Sequence, residues 1–331
     1  MYEYMKKVGL FFGGLGNEAE VSVVSARNVA ANIDQEAYSL VLIYWHADGF
    51  FYRVNDFEEV AAPTQRVREG EFKNLFDVAL PMTHGRFGED GVLQGLFERL
   101  GVPYSGCRVL SSALCMDKAV CKQFLAGQKI PQTRFKVIDF SLLTPAELEA
   151  KLEEIKSSFF TPVFVKPANS GSSVGISKVD DMSDLARAIA EARQHDSKIV
   201  IEEGLAGLRE VEVGILGNGH LITSWPGELI LPKEFYDYDE KYKNNRTEVK
   251  IPAALPMEQE QTIMALAEMV YRLCDCRGFA RIDFFVANGK VYLNEINTLP
   301  GFTQFSMYPL LLMKMGLSYR ELLSRIIELA Y

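Results

Sequence analysis

Val8 to Phe12 is a short apolar run that Gly13 and Gly14 cut off, and a stretch of helical spacing follows it. Val21, Val24, Ala26, Val29, Ala30 and Ile33 are the apolar positions of that stretch. Ser39 to Trp45 is a β-rich run closed by the turn pair Asp48-Gly49. Phe76 to Pro81 is a further strand, and Val92 to Leu100 is a helix stopped at Gly101. Alternation of strand and helix on this scale constrains the first third to a parallel, doubly wound α/β sheet.

The pattern changes near residues 105–118, and α+β segments follow. Thr144-Pro145-Ala146-Glu147 is a capping box that opens a helix to about Ser157. Pro162 to Lys166 and Lys198 to Glu202 are strands, with a helix over Asp184 to His195 between them. Arg209 to Leu216 alternates Val211, Val213 and Ile215 with Glu210, Glu212 and Gly214, and Gly217-Asn218-Gly219 turns the chain back. Residues 226–248 are rich in Tyr, Lys, Asp, Glu and Asn and predict a long lid loop. A helix over 257–274, a hairpin over 279–297 and a helix from Ser318 complete the chain. A length of 331 residues fits two or three domains.

Acidic residues outnumber basic ones by 44 to 35, a net charge of −9, so there is no generic attraction to nucleic acid or to an anionic membrane. Any bound phosphate must be held by a local site. No apolar run approaches the roughly 18 residues of a membrane span. Five cysteines, Cys107, Cys115, Cys121, Cys274 and Cys276, are too few and too odd in number for a disulfide framework. Cys274-Asp275-Cys276 suggests a metal site, but no second Cys/His pair stands near it at zinc spacing. The cysteines are therefore read as small apolar core residues in a reducing cytoplasm.

Gly14-Leu15-Gly16-Asn17-Glu18-Ala19, with Asp34 beyond it, matches the dinucleotide fingerprint. Glu18 would repel a pyrophosphate at that helix start, and nothing downstream supports hydride chemistry. A tight turn, or a site for a cationic group such as an ammonium, remains open. Lys166-Pro167-Ala168-Asn169-Ser170-Gly171-Ser172-Ser173-Val174-Gly175 places a lysine at a strand end before a loop of small hydroxyl residues. Such a loop can surround phosphate oxygens, although it is not a Walker A loop; a solvated loop is the alternative. Arg281-Ile282-Asp283 and Glu295-Ile296-Asn297 lie on two β segments around Asn288-Gly289. Their oxygens suit Mg²⁺ beside phosphates if Asp283 and Glu295 share a face. A two-residue turn would put them on opposite faces. The sequence therefore predicts a three-residue turn Ala287-Asn288-Gly289, with Val286 facing Lys290.

Asn294-Glu295-Ile296-Asn297-Thr298-Leu299-Pro300-Gly301-Phe302-Thr303, with Arg281-Ile282-Asp283, resembles the metal motif of ATP-grasp ligases and, more narrowly, the D-alanine–D-alanine ligase family. The resemblance covers nearly the whole chain. It takes in Gly13-Gly14 with Glu18 and Val21-Ser22, His84-Gly85 with Gly88-Glu89-Asp90-Gly91, and Met116-Asp117-Lys118. It continues through Lys166-Pro167, Gly171 to Gly175, Phe235-Tyr236-Asp237-Tyr238 and Lys241-Tyr242.

The resemblance implies an N-terminal α/β domain over 1–110 and a two-lobed ATP-grasp domain, with a central lobe over 111–204 and a C-terminal lobe over 205–331 carrying the lid. It implies ATP, two Mg²⁺ ions replaceable by Mn²⁺, a homodimer, and supply of a dipeptide for peptidoglycan. Residue by residue, it places Lys118, Lys166 and Ser173 at the ATP phosphates, Glu202 and Leu205 at the adenine, Glu210 at the ribose and Lys241 at the γ-phosphate. Asp283, Glu295 and Asn297 should hold the metals. Glu18, with His84 close by, should take the ammonium of the first D-alanine. Ser172 and Tyr242 should link to Glu18 when the lid closes. Arg281 and the Gly301 amide should bind the oxyanion, and Ser306 the second carboxylate.

Those residue types suit phosphorylation of a carboxylate followed by attack of an amine, which needs charge neutralisation, an oxyanion site and exclusion of water. Two departures stand out. Gln304-Phe305 precedes Ser306 where family members often carry Ser-His, and Met307 is apolar where ligases accepting D-serine or D-lactate often carry arginine. Met307, Tyr242 and the Phe235 to Tyr238 pattern point to D-alanine as acceptor. A D-serine-using relative and a non-catalytic nucleotide-binding regulator are the alternatives.

Overall fold

A computed structural model gives the structure of the protein for residues 5–171, 174–230 and 248–331. The first unit contains β1 (Lys6–Gly13), α1 (Ala19–Asn32), β2 (Tyr38–Trp45), β3 (Phe51–Val54), β4 (Gln65–Val67), α2 (Phe72–Leu75), β5 (Val78–Pro81) and α3 (Val92–Leu100). The sheet order is β4-β3-β2-β1-β5. β1 runs parallel to both β2 and β5, as the alternation predicts. β3 and β4 are antiparallel additions that the sequence reading did not include. Asp48 causes the reversal: its carboxylate accepts from the Phe50 amide at 2.9 Å, closing a turn too tight for a crossover helix.

β1 is buried on both faces. Phe11 meets Phe51, Phe72, Phe76 and Phe97 edge-on, with ring centroids 4.9–5.8 Å apart. Val8, Leu10 and Phe12 point the other way, into a second core with α1.

The middle of the chain contributes α4 (Val109–Met116), α5 (Lys118–Gly127), β6 (Phe135–Asp139), α6 (Pro145–Ser158), β7 (Val163–Pro167), β8 (Ser177–Val179), α7 (Leu185–Ala192) and β9 (Lys198–Glu203). Its sheet, ordered β6-β9-β7-β8, is antiparallel throughout. The capping box at Thr144 and Glu147 forms as read. α6 and α7 cover one face through Ile155, Leu185 and Ile189.

The last third holds β10 (Arg209–Leu216), β11 (Ile222–Thr223), β12 (Gly227–Ile230), β13 (Glu248–Lys250), α8 (Met257–Leu273), β14 (Phe279–Ala287), β15 (Lys290–Asn297), α9 (Met307–Lys314) and α10 (Tyr319–Glu328). The sheet runs β13-β12-β10-β14-β15, with β11 on β10. The expected loop 226–248 is thus shorter than read, because its two ends are paired strands. Its centre, with Phe235 to Tyr238, Lys241 and Tyr242, lies outside the described residues. α9 was not foreseen; Pro309 sits in its first turn, where proline costs no helical hydrogen bond. Leu322, Ile326 and Ile327 of α10 pack into the core of Val8, Leu10 and Phe12. Among the described residues no helix is long and apolar enough to cross a membrane. All five cysteines are free and buried.

The hairpin corrects one expectation. Ala287 faces Lys290, and Val286 faces Val291, so the turn is the two-residue Asn288-Gly289. Both turn residues have positive φ, 50° and 74°, as a type I′ turn requires. The extra residue lies further along. Asp283 faces Glu295 while Phe284 faces Leu293, which leaves Asn294 as the bulge. The bulge restores the shared face of Asp283 and Glu295 that the turn alone would have destroyed.

Ser22 holds the end of β1 in place. Its hydroxyl accepts from the Gly13 amide at 2.8 Å and donates to the Met82 carbonyl at 2.7 Å, with no solvent exposure. Ser22→Ala should leave both backbone groups buried without that partner and cost about 1–3 kcal/mol, read from urea denaturation midpoints.

Candidate active site

Three adjacent strands present one polar face. Arg281 and Asp283 stand on β14, Glu295 and Asn297 on β15, and Glu212 on β10 opposite Asp283. The Arg281 guanidinium donates to both Asp283 oxygens at 2.8 and 2.7 Å, and its Nε lies 2.8 Å from Glu212. Asn297 donates to Asp283 at 2.9 Å. Burial by itself would lower the Arg281 pKa, but Asp283, Glu212 and Glu295 outweigh it and hold the guanidinium charged. Two carboxylates and an amide oxygen on one strand face form a hard donor set that fits a divalent cation such as Mg²⁺.

Lysines face these acids from the middle sheet. Lys118 opens α5, because Asp117 caps the helix by accepting from the Ala119 and Val120 amides. Its ammonium donates to the Ser170 carbonyl at 2.7 Å and lies 3.5 Å from Glu295. Lys166, on β7, pairs with Glu202 at 3.1 Å. Lys122, one helical turn beyond Lys118, pairs with the same carboxylate at 3.2 Å, and Thr133 donates to it at 2.9 Å. Burial works to raise the Glu202 pKa, yet Lys122 and Lys166 bring it down to about 2. Glu202 therefore stabilises the fold above its ordinary pKa of 4.5, and that contribution fades as pH falls toward 2. Leu205 and Glu210 line the same cavity as Lys118, Lys166 and Glu202.

A second cavity adjoins the first, and Lys118, Gly171, Arg281 and Glu295 line both. It contains Glu18, His84, Glu89, Asn297 and Gly301. Glu18 sits so close to the backbone that a Cβ on Gly85 or Gly171 would come within 2.1 or 2.6 Å of its carboxylate. Only glycine permits that approach. His84 bridges Ser25 at 3.0 Å and the Leu299 carbonyl at 3.1 Å. Burial pushes its imidazole below the ordinary pKa, against the charge of Glu18. Burial pushes Glu89 the other way, up to about 8, with Glu18 adding to the shift.

The structure thus brings together Glu18, His84, Lys118, Lys166, Glu202, Leu205, Glu210, Arg281, Asp283, Glu295, Asn297 and Gly301, drawn from all three sheets and their loops. Ser306 and Met307 do not line either cavity, although the Ser306 hydroxyl would stand 2.8 Å from a Cβ on Gly301, which lines the second. The Ser306 hydroxyl accepts from the Thr303 amide at 3.0 Å, and Met307 is buried in the apolar core. Ser172, Ser173, Lys241 and Tyr242 lie outside the described residues. Sequence reasoning missed Lys122, Thr133 and Glu212 as site residues. The spacing of Lys118 and Lys122 on one helix, and the shared face of Glu210 and Glu212, were the available signals.

Glu89 gives a measurable pH effect. Its carboxyl is protonated in the fold up to about pH 8 but ionises near 4.5 when exposed, so its contribution to stability declines as pH rises between those values. Glu89→Gln should remove that decline in ligand-free protein, seen as a flatter plot of thermal midpoint against pH.

Comparison with known proteins identifies the family. Residues 7–107 match the family model for the D-ala D-ala ligase N-terminus, and residues 124–328 match that for the C-terminus. A D-alanine–D-alanine ligase from Caldicellulosiruptor bescii is 42% identical over 98% of this chain and 94% of the relative. The crystal structure of VanG D-Ala:D-Ser ligase from Enterococcus faecalis superposes with a TM-score of 0.87 at 33% identity, over 99% of this chain and all of the other. A D-alanine–D-alanine ligase from Bacillus anthracis complexed with ATP gives a TM-score of 0.77 at 29% identity, over 98% of this chain and 97% of the other. Matched along both halves, this chain belongs to the D-alanine–D-alanine ligase family.

Proposed function

We propose that this chain joins two molecules of D-alanine into D-alanyl-D-alanine and converts ATP to ADP and phosphate. The observation that carries the reading is the meeting of the two cavities. A lysine-lined chamber suited to phosphates opens at Lys118, Arg281 and Glu295 into an acidic chamber suited to an ammonium group. A carboxylate held at that junction lies between both.

Glu18 holds the ammonium of the first D-alanine, and neutral His84 braces the site through Ser25 and Leu299. Lys118 and Lys166, with Ser173 and Lys241, hold the ATP phosphates; Leu205, Glu202 and Glu210 serve the nucleoside end. Asp283, Glu295 and Asn297 would hold two Mg²⁺ ions, or Mn²⁺, which supply neutralisation of phosphate charge. The first D-alanine carboxylate takes the γ-phosphoryl group and becomes an acyl phosphate. The amine of the second D-alanine then attacks that carbonyl carbon, and phosphate leaves. Arg281, held by Asp283 and Glu212, and the Gly301 amide face the oxyanion that forms. Ser172 and Tyr242 close the lid toward Glu18, which keeps water from the acyl phosphate. The product serves peptidoglycan precursor synthesis in the cytoplasm, and the enzyme works as a homodimer of three-part subunits divided at residues 110 and 204.

A D-serine acceptor is the second reading, favoured by the likeness to the D-Ala:D-Ser ligase structure. Buried Met307 and the Thr303 bond of Ser306 leave neither side chain aimed at an acceptor hydroxyl. Competition among D-alanine, D-serine and D-lactate at equal concentration, with ATP and Mg²⁺ and products separated by mass, decides between them. D-Alanyl-D-alanine should dominate; mainly D-alanyl-D-serine would overturn the assignment. Glu295→Gln should abolish phosphate release while circular dichroism stays unchanged. Near-normal turnover in that variant would refute the metal assignment.

A further inference from the structure

All five cysteines of the chain gather in one core beneath the C-terminal sheet, although Cys107, Cys115 and Cys121 lie far in sequence from Cys274 and Cys276. The sulfur atoms of Cys115, Cys121 and Cys274 lie within 4.8 Å of one another, all three residues being buried and free. Cys115 ends α4, Cys121 lies in the first turn of α5 across the break at Asp117, and Cys274 follows α8. We propose that Cys115, Cys121 and Cys274 form a thiolate site for a single zinc ion, separate from the oxygen-rich face of Asp283 and Glu295.

Four observations support the site. First, tetrahedral sulfur ligation at a Zn–S distance of about 2.3 Å needs sulfurs about 3.8 Å apart, so small side-chain rotations close the present triangle. Second, a fourth sulfur is at hand, since Cys276 stands two residues from Cys274 and in contact with Cys115. Third, Cys115 lines the second cavity, which gives an ion a way in. Fourth, the charge balances locally. Binding releases one proton from each of three thiols and leaves a site of net charge −1, and the thiols of Cys115 and Cys274, with the ammonium groups of Lys122 and Lys118, favour the thiolate of Cys121. The ordinary fate of buried cysteine is to fill space as a small apolar residue. Space filling does not require that three sulfurs, from two ends of the chain, converge on one point.

The position has a consequence for the cavities. Cys115 and Cys121 flank Asp117 and Lys118, so an ion there would fasten the phosphate-facing lysine to the end of α8.

The test uses the full-length protein, reduced and stripped of metal, in excess Mg²⁺ to fill oxygen sites. Cobalt(II) added as a probe should bind at one per chain and give sulfur-to-cobalt charge-transfer absorption. Zinc should abolish that absorption. X-ray absorption of the zinc-loaded protein should count three or four sulfur neighbours. Cys121→Ser and Cys274→Ala should lose the band, whereas Cys107→Ala, equally buried but outside the triangle, should keep it. If a variant fails to fold, the sulfur count in the unaltered protein still decides. Absence of the band, or coordination by oxygen and nitrogen alone, overturns the proposal.

Discussion

The polar face of the site depends on one buried guanidinium. Arg281 places its charge between Asp283 and Glu212, with Glu295 also facing it. Three carboxylates so close together repel one another, and a cation among them offsets that repulsion. The planar fork of Arg281 fixes the plane of the Asp283 carboxylate through two parallel bonds. A lysine would supply charge without that orientation. The middle sheet repeats the device with two cations on one acid, as Lys122 and Lys166 share Glu202. The two places carry opposite excesses, with three acids around Arg281 and two cations on Glu202.

Much of this was legible in the sequence because it is local. Alternation marked β10, and the capping box marked α6. The hairpin shows where local reasoning stops. The metal reading required Asp283 and Glu295 to share a face, and the period of a strand then required one extra residue between them. Where the compensating residue would sit did not follow, because a three-residue turn and a bulge at Asn294 satisfy the same count. Turn chemistry favoured Asn288-Gly289 as a two-residue loop, and the irregularity moved to the position beside Glu295.

The residues that were missed are those defined by partners distant in sequence. Nothing around Lys122 on α5 announces that Glu202 of β9 will face it. Nothing around Cys115 or Cys121 announces Cys274, because zinc spacing is a rule about neighbours in sequence. β3 and β4 escaped for a different reason: they are short strands with polar positions, β4 at the sheet edge, and the tight turn at Asp48 replaced the crossover that alternation implied.

The packing of α10 bears on how the chain is made. Val8, Leu10 and Phe12 share a core with Leu322, Ile326 and Ile327. α1 covers part of that face early, but the part that α10 fills stays uncovered until Tyr319–Glu328 has left the ribosome. At roughly 5–20 residues per second, that is an interval of order tens of seconds. Apolar surface left partly uncovered for so long is a target for chaperones and for misassembly between nascent chains. The last helix thus acts as a late closure of the first strand, and synthesis rate joins sequence as a determinant of folding yield.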